Sequence, residues 1–182
     1  MATEWTAAMV AALPDDGTRY ELLDGELVIV PSPSWNHQRL ALAIRDLLAP
    51  YLRAHALGES IVAPADVEFS PRRLLIPDVF VVPRAPDGRR PRSFADAQRL
   101  LLAIEVISPS TARRDRGIKR RIYMEERVDE YWIVDPDAWC IERWRRGDER
   151  PEIVMDRLEW WPEGAGEGLA LEVATVIGEA LG

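Results

Sequence analysis

The hydrophobic pattern of this chain changes period several times, and each change marks an element. Residues 3–12 read as a short helix, stopped by Pro14 and the Asp15-Asp16-Gly17 turn. YELLDGELVIV (20–30) predicts a hairpin with Asp24-Gly25 as its two-residue turn, and Pro31 and Pro33 end the second strand. Over 34–54, Leu40, Ile44, Leu47, Leu48 and Tyr51 recur at helical spacing, with Ser34 placed to cap the start. Residues 60–70 carry strand material divided by Pro64. Three strongly apolar runs follow as strands: LLIPDVFVV (74–82), LLAIEVIS (101–108) and EYWIVDP (130–136). A Pro/Arg-rich loop with a short helical turn (83–98) separates the first two, and a helix over 112–127 separates the last two. WCIERWRR (139–146) alternates as a further strand. EIVMD, LEWW and LALEVA beyond residue 150 are strand-like, and a short helix closes the chain.

Apolar runs that fill both faces of a strand call for a sheet covered on both sides. The predicted fold is therefore α+β, a mixed α/β arrangement. It has a mixed central sheet flanked by helices, an N-terminal hairpin and extra C-terminal strands. No internal repeat or low-complexity linker interrupts the chain, so residues 1–182 read as a single domain.

Composition narrows the function classes. The chain is 47% hydrophobic and 30% charged, as folded soluble proteins are. Its one cysteine, Cys140, excludes an internal disulfide and fits a reducing cytoplasm. Cys140 is a poor nucleophile candidate, since it lies in a strand pattern and only two histidines exist to serve as its base. The N-terminus has no basic segment leading into an apolar core, so no secretory signal is expected, and no run approaches a membrane span. The net charge of −8 opposes phosphate binding, yet RRDRGIKRR (113–121) and Arg84, Arg89, Arg90 and Arg92 concentrate positive charge. These runs read either as a basic face or as solvated surface.

The candidate chemistry begins with Lys119, the only lysine beside 22 arginines. Lysine is a compact point charge whose pKa moves readily when it is desolvated, and arginine is neither. Upstream, Asp78 and Glu105 each interrupt an apolar run. A bare carboxylate there costs roughly several kcal/mol unless paired, neutralised or bound to a cation. One such acid can be a core ion pair with Arg99 or Arg121. Two acids on neighbouring strands can converge on a hard cation such as Mg²⁺, which keeps waters and takes phosphate oxygens as ligands. A lysine beside that cation can orient or deprotonate a nucleophilic water and stabilise charge on the phosphate. Asp115, four residues before Lys119, offers the plainer alternative of an exposed helical pair.

The order Pro77-Asp78, Glu105 and a lysine resembles the PD-(D/E)XK nuclease superfamily. The usual lysine position two residues after the acid holds Ile107, so the resemblance implies that Lys119, on the following helix, would be a migrated lysine. YELLDGELV, SPSWNHQRL, IPDVFVV and EVISPSTARRDRGIKRRIY through EYWIVDP resemble, more narrowly, the Uma-type bacterial family of restriction-endonuclease-like proteins. The resemblance spans residues 20 to 136. It implies a core of helix, three strands, helix and strand, a dependence on Mg²⁺ that Mn²⁺ can replace, and Asp78, Glu105 and Lys119 as the active set. Asp78 and Glu105 are the expected metal ligands. DNA is the expected partner, and cleavage of both strands makes a homodimer plausible. A catalytically inactive module of the same fold, binding nucleic acid or protein, is the alternative.

Secondary candidates are His37 and Gln38 in the first turn of the long helix, which suits a phosphate or an acid. Arg113, Arg116 and Arg120 of the basic run are expected to meet the nucleic-acid backbone. Glu21 is either a third acid near the metal or a glutamate on the hairpin surface, and the pattern alone favours the surface. Tyr123, one turn past Lys119, can pack over it. Trp132, Trp139 and Trp144 read as core or interface residues. Residues 150–182 carry no recognised motif.

Overall fold

The computed structural model describes residues 4–85 and 87–182. Helix α1 (Ala7–Ala11) starts at Thr6, whose hydroxyl accepts from the Met9 amide. Strands β1 (Arg19–Leu23) and β2 (Glu26–Val30) form the expected hairpin, with Asp24 at φ 56° and Gly25 at φ 87°. Positive φ at both turn residues matches the twist of the flanking strands. Helix α2 (Trp35–Ala54) starts where Ser34 Oγ accepts from the His37 amide at 3.2 Å. Its buried stripe is Leu40, Ile44, Leu48 and Leu52, each contributing roughly 1.5–3 kcal/mol by burial. Leu47 lies off the stripe and is 37% exposed.

Strands β3 (Gly58–Val62), β4 (Val67–Ser70), β5 (Arg73–Leu75) and β6 (Val79–Pro83) follow, then α3 (Phe94–Ala97) and β7 (Leu102–Val106). LLIPDVFVV is thus two strands. Pro77 cannot donate to a ladder, and the chain passes there from one sheet to another. The helix after β7 comprises α4 (Ala112–Arg114), a π-helical segment (Asp115–Lys119) and α5 (Arg120–Glu125). Strands β8 (Glu130–Asp135), β9 (Cys140–Arg145), β10 (Glu152–Val154), β11 (Arg157–Trp160) and β12 (Leu169–Glu172) precede α6 (Val173–Leu181).

The main sheet has the order β10-β9-β8-β7-β6-β3. Only β7 and β8 pair in parallel, joined by the helical crossover that carries Lys119. The sheet is mixed, and it is covered on both faces as the apolar runs require. Val79, Val81, Ile104 and Trp132 pack under α2 and α6. Phe80, Ala103, Tyr131 and Ile133 pack against α5 and Leu23 and Leu75 of a second sheet, ordered β2-β1-β5-β4. Glu105 shares this second face by strand alternation. Gly58 permits the close approach of β3 to β6, since a Cβ there would lie 2.1 Å from the Val82 carbonyl oxygen.

Arg73 ties the hairpin to the crossover. Its guanidinium donates to Asp24 at 2.6 Å, Glu126 at 2.6 Å and Glu125 at 2.5 Å, and Arg121 reaches the other oxygen of Asp24. The elements bearing Glu21 and Lys119 are thereby held against each other. No described helix is long and apolar enough to cross a membrane.

Candidate active site

Asp78 lies just before β6, and Glu105 lies on the neighbouring β7, next to the register pair Val79 and Ile104. Asp78 Oδ2 accepts from the Val106 amide at 2.8 Å and lies 3.0 Å from His37 Nε2. Glu105 is 3% exposed, and its Oε1 accepts from Lys119 Nζ at 2.9 Å and Tyr123 Oη at 2.7 Å. Lys119 Nζ also stands 2.8 Å from Glu21 Oε1 and 3.8 Å from Asp115 Oδ1. Asp78, Glu105, Lys119, Glu21, Asp115, His37 and Gln38 line one cavity of about 280 Å³.

Three carboxylates surround the Lys119 ammonium and Asp78 lines the same cavity, and this surplus of negative charge around Nζ sets the protonation pattern. Burial pushes Glu105 well above the usual carboxylate range; Lys119 pulls it down, while Asp78, Asp115 and Glu21 push it further up. Burial also raises Asp115. Burial opposes the charged form of Lys119, but Glu105, Glu21 and Asp115 outweigh it and hold its pKa above the ordinary lysine value. His37 behaves alike: burial works against the imidazolium, and the hydrogen bond and charge of Asp78 more than offset it. Lys119 is therefore a firmly held cation in this surrounding.

The donor set suits a hard cation. Among the described residues, Asp78 Oδ1 and Glu105 Oε2 have no protein hydrogen-bond donor, and both side chains line the cavity. No group of three His, Cys, Asp or Glu side chains among the described residues is arranged to hold a metal by itself. Two carboxylates supplemented by waters and substrate oxygens are the sparse ligation that Mg²⁺ accepts.

Other candidates are placed elsewhere. Arg116 donates to Glu142 at 2.6 Å and Asp135 at 2.7 Å, and Arg120 lies 4.6 Å over the Trp144 ring. Arg113 is exposed and does not line the cavity, whereas Arg114 does. Arg99 and Arg121 pair with surface acids and not with Asp78 or Glu105. Cys140 is buried, and burial raises its thiol. Trp132 and Trp144 are buried, while Trp139 is 44% exposed. Glu21, which the alternation pattern favoured for the surface, is 1% exposed and accepts from the Ile76 amide at 2.9 Å. Strand β1 lies inside its sheet between β2 and β5, and the face carrying Glu21 meets Lys119 of the crossover, which no local pattern encodes. Ile107, at the usual lysine position, is buried in the apolar cluster under α5. The lysine arrives from the helix instead.

Comparison with known proteins agrees with this architecture. A crystal structure of a "putative nuclease belonging to DUF820" from Anabaena variabilis superposes with a TM-score of 0.80 at 18% identity, covering 96% of this chain and 98% of that one. The uncharacterized protein slr1290 of Synechocystis sp. is 25% identical over 150 residues, spanning 78% of this chain and 76% of the relative. Residues 7–174 match the profile of the Uma2 family, described as "Putative restriction endonuclease". With nearly its whole length matched, the chain belongs to the Uma2 family.

Proposed function

We propose that the protein is a metal-dependent endonuclease that hydrolyses phosphodiester bonds in DNA. The observation that carries the reading is the convergence of Asp78, Glu105 and Lys119, from two neighbouring chain segments of one sheet and a crossover helix, on a single cavity. Asp78 and Glu105 would hold Mg²⁺, with Mn²⁺ as a substitute. Bound there, the cation supplies Lewis acidity toward a phosphate oxygen and lowers the pKa of water.

The protein's own groups do the rest. Water attack on phosphorus breaks one P–O ester bond and leaves a phosphomonoester and a hydroxyl. Negative charge grows on the phosphoryl oxygens, and the Lys119 ammonium stabilises it at close range. Glu105, Glu21 and Asp115 favour the charged form of Lys119, which suits it to the role of a cation beside the phosphate. It also holds Glu105 and Glu21 in place. His37 and the Val106 amide hold Asp78 Oδ2, which leaves Oδ1 for the cation. In this reading residues 1–182 work as one nuclease-like domain in the cytoplasm, and cutting both strands calls for a homodimer with two centres.

Two observations favour a second reading, a non-catalytic module of the same fold that binds nucleic acid or a protein. The net charge is −8, and Glu105 Oε1 is already paired internally. Titrating Mg²⁺ or Mn²⁺ into wild type, Asp78→Ala and Lys119→Ala, then assaying plasmid and single-stranded DNA, separates the two. Absence of metal binding in wild type removes the nuclease reading. Metal binding without cleavage, unchanged by Lys119→Ala, favours the module.

A further inference from the structure

Arg19 and Arg114 line the same cavity as Asp78, Glu105 and Lys119. Arg19 opens β1 two residues before Glu21 and so shares its strand face. Arg114 closes α4, immediately before the π-helical segment. Among the described residues neither makes a side-chain hydrogen bond or ion pair. Arg73, Arg116, Arg121 and Arg143 all do. Two guanidiniums without acidic partners beside a carboxylate-rich wall are donors whose acceptor comes with the ligand.

Charge gives that ligand its sign. Glu21, Asp78, Glu105 and Asp115 bring four negative charges to the cavity when ionised, and Lys119, Arg19, Arg114 and a protonated His37 bring four positive ones. A divalent cation on Asp78 and Glu105 turns the balance positive, and without the two arginines it would reach only neutrality. Hydroxyls add further donors on the same wall: Ser108, Ser110 and Thr111 line the cavity, with Ser108 Oγ 3.0 Å from Ser110 Oγ. A guanidinium fork matches phosphate geometry bidentately.

We infer that Arg19 and Arg114 form the phosphate-binding subsite of this cleft and grip the backbone of the nucleic acid. The inference takes its ligand class from the nuclease reading. The subsite replaces Arg116 and Arg120, whose guanidiniums are fixed on Asp135, Glu142 and Trp144.

The test is fluorescence anisotropy of a labelled DNA duplex with the full chain, in Ca²⁺ to allow binding without turnover, across a range of KCl concentrations. Arg19→Ala and Arg114→Ala should each weaken binding by about 5–10-fold and flatten the log–log salt slope by about 0.9. Arg157→Ala, which removes two surface ion pairs, one within β11 and one to β12, should change neither. Arg19→Lys and Arg114→Lys keep the charge, so they should keep the slope and lose only about 2–5-fold in affinity. They carry the test if an alanine variant fails to fold. Calorimetric Ca²⁺ binding should be unaltered in all four. Wild-type affinity and slope in both alanine variants overturns the subsite, as does an equal loss in Arg157→Ala, or no binding of duplex by the wild type. Duplex binding that needs both arginines, in a wild type that does not cleave with Mg²⁺, removes the nuclease reading and leaves the subsite standing. Cleavage with unchanged binding in both variants removes the subsite alone.

Discussion

The main sheet buries a carboxylate–cation centre on each of its faces, and the two are built differently. Under α2 and α6, Glu130 Oε1 accepts from Arg143 at 2.7 Å, and Oε2 accepts from Arg143 at 2.7 Å and from Trp132 Nε1 at 2.9 Å. One buried acid meets one guanidinium with both its oxygens filled, and the remaining guanidinium nitrogen faces the more exposed Glu152 at 3.7 Å. Under α5, Lys119 stands among Glu21, Glu105 and Asp115, with Asp78 alongside. That centre has more acids than cations, and it opens on a cavity. A closed pair satisfies itself and serves the fold. A surplus of charge is costly in a core and is balanced by what binds there.

The comparison can be broken at four places, taken from the largest effect down. Arg143→Ala should cost about 3–5 kcal/mol in urea unfolding, because it strands a buried Glu130. A loss within experimental error would show that the pair is not closed against water. Lys119→Ala should reduce DNA cleavage by about 10²-fold or more. Lys119→Arg, which keeps the charge but not the compact ammonium, should also fail; cleavage by the arginine variant would reduce the lone lysine to an accident of composition. His37→Ala should lower Mn²⁺ affinity about 10-fold by calorimetry, as loss of a group that orients a ligand does, with the thermal midpoint little changed. Unaltered affinity would show that the Val106 amide alone holds Asp78. The smallest effect concerns acid. Burial pushes Asp24 up, but Arg121 and Arg73 outweigh it and hold the carboxyl below its usual range. A carboxylate depressed in the folded state stabilises above its ordinary pKa and loses that contribution as pH falls through it. Thermal melts should therefore weaken below about pH 4, and less so in Arg73→Ala.

Much of the site was legible in the sequence for one reason: charge in an apolar run is expensive. That made Asp78 and Glu105 stand out, and the scarcity of lysine did the same for Lys119. The hairpin, α2 with its Ser34 cap, and the β7–helix–β8 crossover followed from period and turn chemistry. What stayed hidden depends on partners distant in sequence. Glu21 reads like a surface residue, and only the pairing of β1 with β5 and the docking of the crossover bury it. Arg116 looks like a phosphate contact until β8 and β9 supply Asp135 and Glu142. Arg19 and Arg114 stand out only in the folded chain, where both line the cavity and, among the described residues, neither pairs with an acid. The π-helical turn and the split of LLIPDVFVV between two sheets are likewise tertiary outcomes.

The docking of the hairpin has a kinetic consequence. Glu21 and Lys119 are nearly a hundred residues apart, yet they touch at 2.8 Å. Contacts of such separation close long loops and form late, after the local ones. A folding chain with its central sheet formed but its hairpin undocked has Lys119 without Glu21 and lacks the Arg73 bridge. The charge set is complete only once the hairpin has docked. A half-folded molecule would thus be without a finished centre, and cleavage would serve as a reporter of complete folding.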